Sequence, residues 1–292
     1  MKFFIVDAFT DKPFHGNPAG VLLLQEDEDL QDEAMQKLAS ELRFSETVFV
    51  KKRDEDLQLR YFTPVSEIEL CGHATIGAFQ AMIEAGWVER YGEYKFDTKL
   101  GKLNVRVDSG LIMMKQDIPK IREVISSPEE IEKIASMLQL KFEDIISDGG
   151  RLSPAIVSTG LWDLLVPVKD IDTLLHMVPD LNAIEYYTRE KGLVSVHVFT
   201  FGEREGVLCH ARDFAPLYGI PEEAATGTAN GALVYYLYHL GLVDANKLHK
   251  IRQGESMNRP SEIFAQVYTD ETGVSVFVGG YGKVIVSGEL KI

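Results

Sequence analysis

Cysteine is nearly missing: Cys71 and Cys209 are the only two in 292 residues. That excludes a disulfide-rich scaffold, and with no C-x-x-C or H-x-x-x-H spacing beside them the usual sequence form of a zinc site is missing too. Positive charge is also short, with 30 Lys and Arg against 45 Asp and Glu and a formal net charge of −15. Such a chain repels a polyanion at long range, which argues against nucleic acid as a partner. Long apolar runs are lacking as well. The opening Met1–Phe9 carries one Lys and a short apolar run stopped by Asp7, too short for a signal peptide, and no stretch reaches membrane-spanning length. The expectation is a cytoplasmic protein with no membrane partner. Phosphate and dinucleotide signatures fail likewise: Gly279-Gly280-Tyr281-Gly282 is glycine-rich, but Val284-Ile285-Val286 behind it reads as strand, not the helix a dinucleotide fold requires.

What remains is globular: 45% hydrophobic, 10% aromatic and 26% charged residues, in a chain roughly twice the length of a typical domain. Period-two runs predict strands over Lys2–Phe9, Glu46–Lys51, Leu57–Thr63, Lys102–Asp108, Val194–Phe201, Val207–Arg212, Ile263–Thr269 and Val274–Val278. Apolar residues at three- and four-residue steps predict helices over Leu30–Leu42, Gly72–Ala85, Pro128–Leu138, Ile184–Lys191 and Gly227–Leu240. Ser127-Pro128-Glu129-Glu130 has the form of a capping box with proline at the first helical position.

An internal repeat organises these elements. Arg60-Tyr61-Phe62-Thr63-Pro64 parallels Arg212-Asp213-Phe214-Ala215-Pro216 at an offset of 152. The helix that follows repeats at 155, where Gly72 meets Gly227, Ala74 meets Ala229, Gly86 meets Gly241 and Val88 meets Val243. The expectation is therefore two similar halves, residues 1–122 and 123–282, with 283–292 returning to the first and the junction near Pro119–Pro128. Both repeated helices are apolar on nearly every face, so each is expected to lie buried among curled strands.

The start of a helix offers unpaired N–H groups and partial positive charge, a seat for a carboxylate. Gly72-His73-Ala74-Thr75 and Gly227-Thr228-Ala229-Asn230 place small residues at two such starts. Glu46 falls on the face of its strand that Val48 and Val50 share, where lost hydration raises a carboxyl pKa toward proton-transfer duty; a strand-end glutamate in water is the plainer alternative. His73 either hydrogen-bonds a substrate or caps its own helix. Glu222 and Glu223 either act in chemistry or merely complement the second helix dipole. Cys71 stands where a thiol pKa is depressed, but its repeat partner is Thr226, so a two-thiol mechanism at these paired positions is excluded and Cys71 reads as a packing residue.

Phe44-Ser45-Glu46-Thr47-Val48-Phe49, Leu70-Cys71-Gly72-His73-Ala74-Thr75, Phe214-Ala215-Pro216, Ala225-Thr226-Gly227-Thr228-Ala229 and Gln253-Gly254-Glu255-Ser256-Met257-Asn258-Arg259-Pro260-Ser261 together resemble the phenazine-biosynthesis isomerase (PhzF-like) family across nearly the whole chain. The resemblance implies the diaminopimelate-epimerase-type α+β fold: two pseudo-symmetric halves, each a barrel-like sheet around a central helix, with the site in the cleft between them. It implies a cofactor-free, metal-free isomerase, commonly a homodimer, in which a glutamate moves a proton between carbons of a small carboxylated substrate. By position, Glu46 matches the catalytic glutamate, His73 the site histidine and Gly72 the helix-start glycine, whereas Glu223 replaces an aspartate and Thr228 a serine. The expected catalytic residues are thus Glu46, His73 and Glu223, with Ser45, Gly72, Ala74, Gly227 and Thr228 binding substrate. The two replacements alter pocket shape and point away from the phenazine precursor as substrate. The rivals are an amino-acid racemase of the same fold and a non-catalytic binder of small acids.

Overall fold

The protein is described by a computed structural model covering residues 1–53, 56–146, 152–202, 206–271 and 273–291. The chain divides into two compact units, residues 1–115 with 279–292 and residues 116–278.

In the first unit β1 (Lys2–Ala8) and β2 (Asn17–Leu24) pair antiparallel. Helix α1 (Asp32–Leu42) then crosses over so that β3 (Thr47–Arg53) lies parallel to β2, with Gly20 opposite Thr47 and Leu24 opposite Lys51. β4 (Asp56–Phe62) returns antiparallel, and the short β5 (Glu67–Ile68) folds back on it. Helix α2 (Gly72–Glu84) leads to β6 (Tyr91–Thr98), parallel to β4, and then to the antiparallel strands β7 (Gly101–Asp108) and β8 (Leu111–Lys115). Strand β2 has no period-two signature because both of its faces are covered. Leu22 and Leu24 pack with Met35 and Ala39 of α1 and with Phe49 and Phe62. On the other face Ala19 and Val21 lie against Gly77 of α2. Helix α2 packs on β1, β2, β3 and β8, and from His73 to Phe79 every residue is buried.

The second unit starts with β9 (Lys120–Val124) and α3 (Pro128–Met137), followed by the hairpin of β10 (Ala155–Ser158) and β11 (Trp162–Pro167). The crossover here is two helices, α4 (Ile171–His176) and α5 (Leu181–Lys191), which bring β12 (Ser195–Phe201) parallel to β11. β13 (Cys209–Ala215) pairs antiparallel with β12, and β14 (Ile220–Glu223) folds back on it. Helix α6 (Gly227–His239) leads to β15 (His249–Gln253), parallel to β13, and to its antiparallel neighbour β16 (Ser261–Asp270). β17 (Gly273–Gly280) carries the chain back to the first unit, where β18 (Gly282–Glu289) pairs with β1. The order of elements from the first hairpin to the strand after the buried helix is thus the same in both units. The second core gathers α3, α5 and the inner residues of β11 and β12, among them Ile134, Ile184, Val166 and Val198.

Two local expectations are corrected. The chain changes unit after Lys115, earlier than expected, because β9 pairs with β10 along its whole length and so belongs entirely to the second unit. Pro128 does open α3, but the Ser127 side chain makes no cap hydrogen bond, so the capping box does not form. Ile292, the end of the expected returning segment, lies outside the described residues. The architecture is α+β, with mixed sheets and, among the described residues, six α-helices. No described helix is long and apolar enough to cross a membrane.

Candidate active site

Glu46 immediately precedes β3, its carbonyl accepting from Gly20 N–H at 3.3 Å, so the strand fixes its backbone. It is neither mid-strand nor a rim residue in water: its side chain is only 14% exposed. Carboxylate atom Oε2 lies 3.2 Å from His73 Nε2, but the two are not aligned as a hydrogen bond, and Oε2 is a buried oxygen without a hydrogen-bond partner among the described residues. Leaving such a group unpaired costs about 1–3 kcal/mol.

His73 is the second residue of α2 and is buried. It is not the N-cap of α2, which is Cys71, and the Cys71 side chain makes no cap hydrogen bond. The His73 ring meets Asn17, whose Nδ2 donates to Nδ1 at 3.2 Å. An acceptor at Nδ1 fixes the neutral tautomer with its proton on Nε2, facing Glu46 and 3.5 Å from Ser45 Oγ. Burial lowers the His73 pKa and the Glu46 charge opposes that shift, so the ring is neutral near pH 7. Cys71 Sγ completes the group, 3.3 Å from Nδ1 and 4.0 Å from Nε2. Tyr61 hydroxyl pairs with Thr75 Oγ1 at 2.7 Å, and Thr75 Oγ1 donates to the Cys71 carbonyl at 2.7 Å, tying the first turn of α2 to β4.

Of the expected residues, Ser45, Glu46, Gly72, His73 and Ala74 come together in the first unit. Among the described residues, a side chain added at Gly72 would meet Met114 Cε alone, at 3.9 Å, which leaves room for a ligand at that helix start. Gly227 and Thr228 open α6 in the second unit, again with no side-chain cap. Thr228 is held by its carbonyl, which accepts from Thr159 Oγ1 at 2.9 Å. Glu223 is half-buried at the end of β14, and its carbonyl accepts from Gln253 Nε2 at 2.8 Å. Glu222 is a structural partner of Arg212, with two hydrogen bonds of 2.8 Å.

Sequence reasoning missed two features. Asn17, the residue that sets the His73 tautomer, begins an apolar strand; a lone amide there was the available signal. The other is a buried network on β11, β12 and β13. Asp213 accepts from His197 Nδ1 at 2.9 Å and Thr226 Oγ1 at 3.0 Å, while Ser195 Oγ stands 2.7 Å from Asp213 and 2.9 Å from Asp163. Desolvation first, and the Asp213 charge second, raise the Asp163 pKa, so Asp163 holds its proton and donates to Ser195 Oγ, whose hydroxyl donates to Asp213. The signal was Asp213 itself, a carboxylate standing where the first repeat has Tyr61.

Comparison with known proteins agrees over the full length. Residues 6–288 match the phenazine biosynthesis-like protein family, PhzC-PhzF. An uncharacterized isomerase of Bacillus subtilis is 34% identical over 288 residues, spanning 96% of this chain and 94% of that protein. The crystal structure of a phenazine biosynthesis protein of the PhzF family from Bacillus anthracis superposes with a TM-score of 0.88 at 30% identity, covering 100% of this chain and 99% of that one. A probable proline racemase from Agrobacterium radiobacter, 11% identical with a TM-score of 0.63 over 100% and 93% of the two chains, shares the fold.

Proposed function

The chain belongs to the phenazine biosynthesis-like family and is an isomerase, and from that premise we propose that it moves a proton between carbons of a small carboxylic acid with Glu46 as the acid/base. The observation that carries this reading is Glu46 Oε2, a buried oxygen with no hydrogen-bond partner among the described residues, beside a neutral imidazole. A carboxylate so placed is free to take a proton from carbon, and the half-buried site limits competition from water. His73, with its proton on Nε2, donates toward the negative charge that the substrate gains.

The uncapped start of α2, bare at Gly72, is a seat for a substrate oxyanion, with Ser45 and Ala74 beside it. Gly227 and Thr228 at the start of α6 are proposed to bind the substrate carboxylate, and Glu223 to assist proton transfer. Such a reaction needs no cofactor. The packing of α2 against five strands of its own unit, β1, β2, β3, β8 and β18, supports a barrel-like sheet wrapped around it. A cytoplasmic homodimer belongs to the same reading, and light scattering tests the dimer.

The experiment incubates wild type and Glu46→Gln in D₂O with a panel of small carboxylic acids, including the phenazine precursor and diaminopimelate, and follows carbon-bound deuterium by NMR. Exchange with wild type, reduced about 100-fold or more in a folded Glu46→Gln, is expected. Equal exchange in both proteins removes Glu46 from the mechanism. Binding of acids with no exchange by either favours the non-catalytic binder.

One contact favours a second reading, an amino-acid racemase with two bases: Cys71 Sγ lies 3.3 Å from His73 Nδ1. There Cys71→Ser is as damaging as Glu46→Gln, whereas with a single glutamate it is not.

A further inference from the structure

We propose that Asp213 is a positioning residue for the start of α6: it draws the Thr226 hydroxyl away from the helix and so keeps the first amides of α6 bare for a carboxylate. This role presupposes the seat for the substrate carboxylate at Gly227 and Thr228 proposed above.

A threonine just before a helix ordinarily turns its side-chain oxygen onto the amide two or three residues on and closes the helix start. Thr226 holds that place before α6, with the extended backbone such a residue needs (φ −120°, ψ 102°), yet its side chain makes no cap hydrogen bond. The hydroxyl is engaged elsewhere. It donates to Asp213 Oδ2 at 3.0 Å and accepts from Gln253 Nε2 at 3.0 Å. A hydrogen bond to a charged acceptor is roughly twice as strong as one between neutral groups, so the side chain settles in the rotamer that faces Asp213 rather than its own helix.

The carboxylate is itself pinned. Asp213 is 2% exposed, and its other oxygen accepts from His197 Nδ1 at 2.9 Å and Ser195 Oγ at 2.7 Å. Gln253, fully buried, fixes the backbone nearby: Oε1 accepts from the Thr226 amide at 3.1 Å and from Asn230 Nδ2 at 2.8 Å, and Nε2 also donates to the Glu223 carbonyl at 2.8 Å. The helix ladder begins with the Asn230 amide, which donates to the Thr226 carbonyl at 3.3 Å, so the amides of Gly227, Thr228 and Ala229 fall outside it. Gly227 and Thr228 are half-buried, within reach of a small ligand.

The repeat gives the reason for a carboxylate at this position. In the first unit the residue before α2 is Cys71, whose thiol is a weak hydrogen-bonding group, and Tyr61 stands where the second unit has Asp213. The Tyr61 hydroxyl pairs with Thr75 Oγ1 at 2.7 Å rather than with the residue before the helix. A poor cap needs no restraint, whereas threonine, a good one, does.

The test titrates sodium acetate into nitrogen-15-labelled full-length protein, with ionic strength held constant by sodium chloride, and reads Kd from the Gly227 and Thr228 amide shifts. Wild type is expected to show saturable shifts at both. Asp213→Ala is expected to weaken acetate by about fivefold, the equivalent of one threonine cap closing the helix start. Loss of a nearby negative charge without release of the hydroxyl would tighten acetate instead, so the sign of the change separates positioning from simple electrostatics. In a Thr226→Val background no hydroxyl can close the helix, and there the same Asp213→Ala change is expected to weaken acetate by less than about twofold. A merely structural loss would persist in both backgrounds. Circular dichroism confirms that each variant folds. Asp213→Asn replaces Asp213→Ala if the latter does not, since its amide oxygen keeps the bonds from His197 and Ser195 and its nitrogen turns a donor toward Thr226. Unmoved Gly227 and Thr228 amides in wild type overturn the carboxylate seat and this role with it. Saturable shifts in wild type with equal or tighter binding in the Asp213 variant, or an equal loss in both backgrounds, leave the seat standing and overturn the role of Asp213.

Discussion

Arg60 and Arg212 make the same two-pronged ion pair in the two units. Arg60 donates from Nε and Nη2 to Glu67 at 2.8 and 2.9 Å, and Arg212 from Nε and Nη2 to Glu222 at 2.8 and 2.8 Å. Each guanidinium also lies over the phenylalanine two residues on, 5.3 Å from the Phe62 ring centre and 5.0 Å from that of Phe214. A charge pinned in this way fixes the short fold-back strand against its neighbour and so sets where the buried helix begins.

The environments differ, and the consequences of removal should differ with them. Arg212 has a side chain 8% exposed and also donates to the carbonyls of Leu174 and Met177 at 3.1 and 2.8 Å. Arg212→Ala strands a carboxylate and two carbonyls and is expected to cost about 3–5 kcal/mol. Arg60→Ala, in a more open pair with Glu67 and Asp32, is expected to cost about 1 kcal/mol. Urea unfolding of the two variants checks the ranking, and equal losses refute it.

The duplicated arginines show what was legible in the sequence. Repeat, buried helices and helix starts were all readable, because a pentad and two glycines recur at fixed offsets and the resulting contacts are local. β2 was not, since a strand covered on both faces loses the alternation that announces a strand. In the site, Glu46 and His73 were readable as residue types at a strand edge and a helix start. Their 3.2 Å approach, the Asn17 contact that sets the tautomer and the network around Asp213 were not, because each joins segments distant in sequence.

Two helix glycines should respond oppositely to alanine. A methyl at Gly77 meets Ala19, Val6 and Val21 at 3.5 to 3.7 Å, ordinary contact distance, so Gly77→Ala gains helix propensity and stabilises by about 0.5–1 kcal/mol. At Gly231 the methyl falls 2.8 Å from Val278 Cγ2 and 3.2 Å from Thr159 Oγ1. Valine is stiff, so Gly231→Ala is expected to destabilise by about 1–3 kcal/mol. Thermal and urea unfolding measure both, and a shared sign contradicts the packing argument.

His73 should titrate below 6.5, the ordinary histidine value, because burial disfavours its cation. The Glu46 charge is what limits that shift, so Glu46→Gln is expected to lower the His73 pKa further. Nitrogen-15 shifts of the imidazole read the titration and also report the tautomer, expected to carry its proton on Nε2. A His73 pKa that rises in Glu46→Gln would show that another group controls the ring.

Asp163 gives a stability test of opposite sign to that of a salt-bridged carboxylate. Its pKa in the folded protein is raised above the ordinary 3.8 by burial and by Asp213, so the folded state binds more protons than the unfolded chain once pH exceeds that value. Its contribution is complete below 3.8 and diminishes as pH rises through the folded titration. Asp213, His197 and Ser195 face it, so the slope belongs to the coupled group rather than to one carboxyl. Asp163→Asn keeps the shape of the protonated acid and cannot ionise. Its stability relative to wild type is therefore expected to improve steadily as pH rises from 4 toward 7, read from urea midpoints at each pH. Parallel curves for the two proteins would mean that Asp163 is already ionised when folded, and that the Ser195 hydroxyl is shared between two carboxylates.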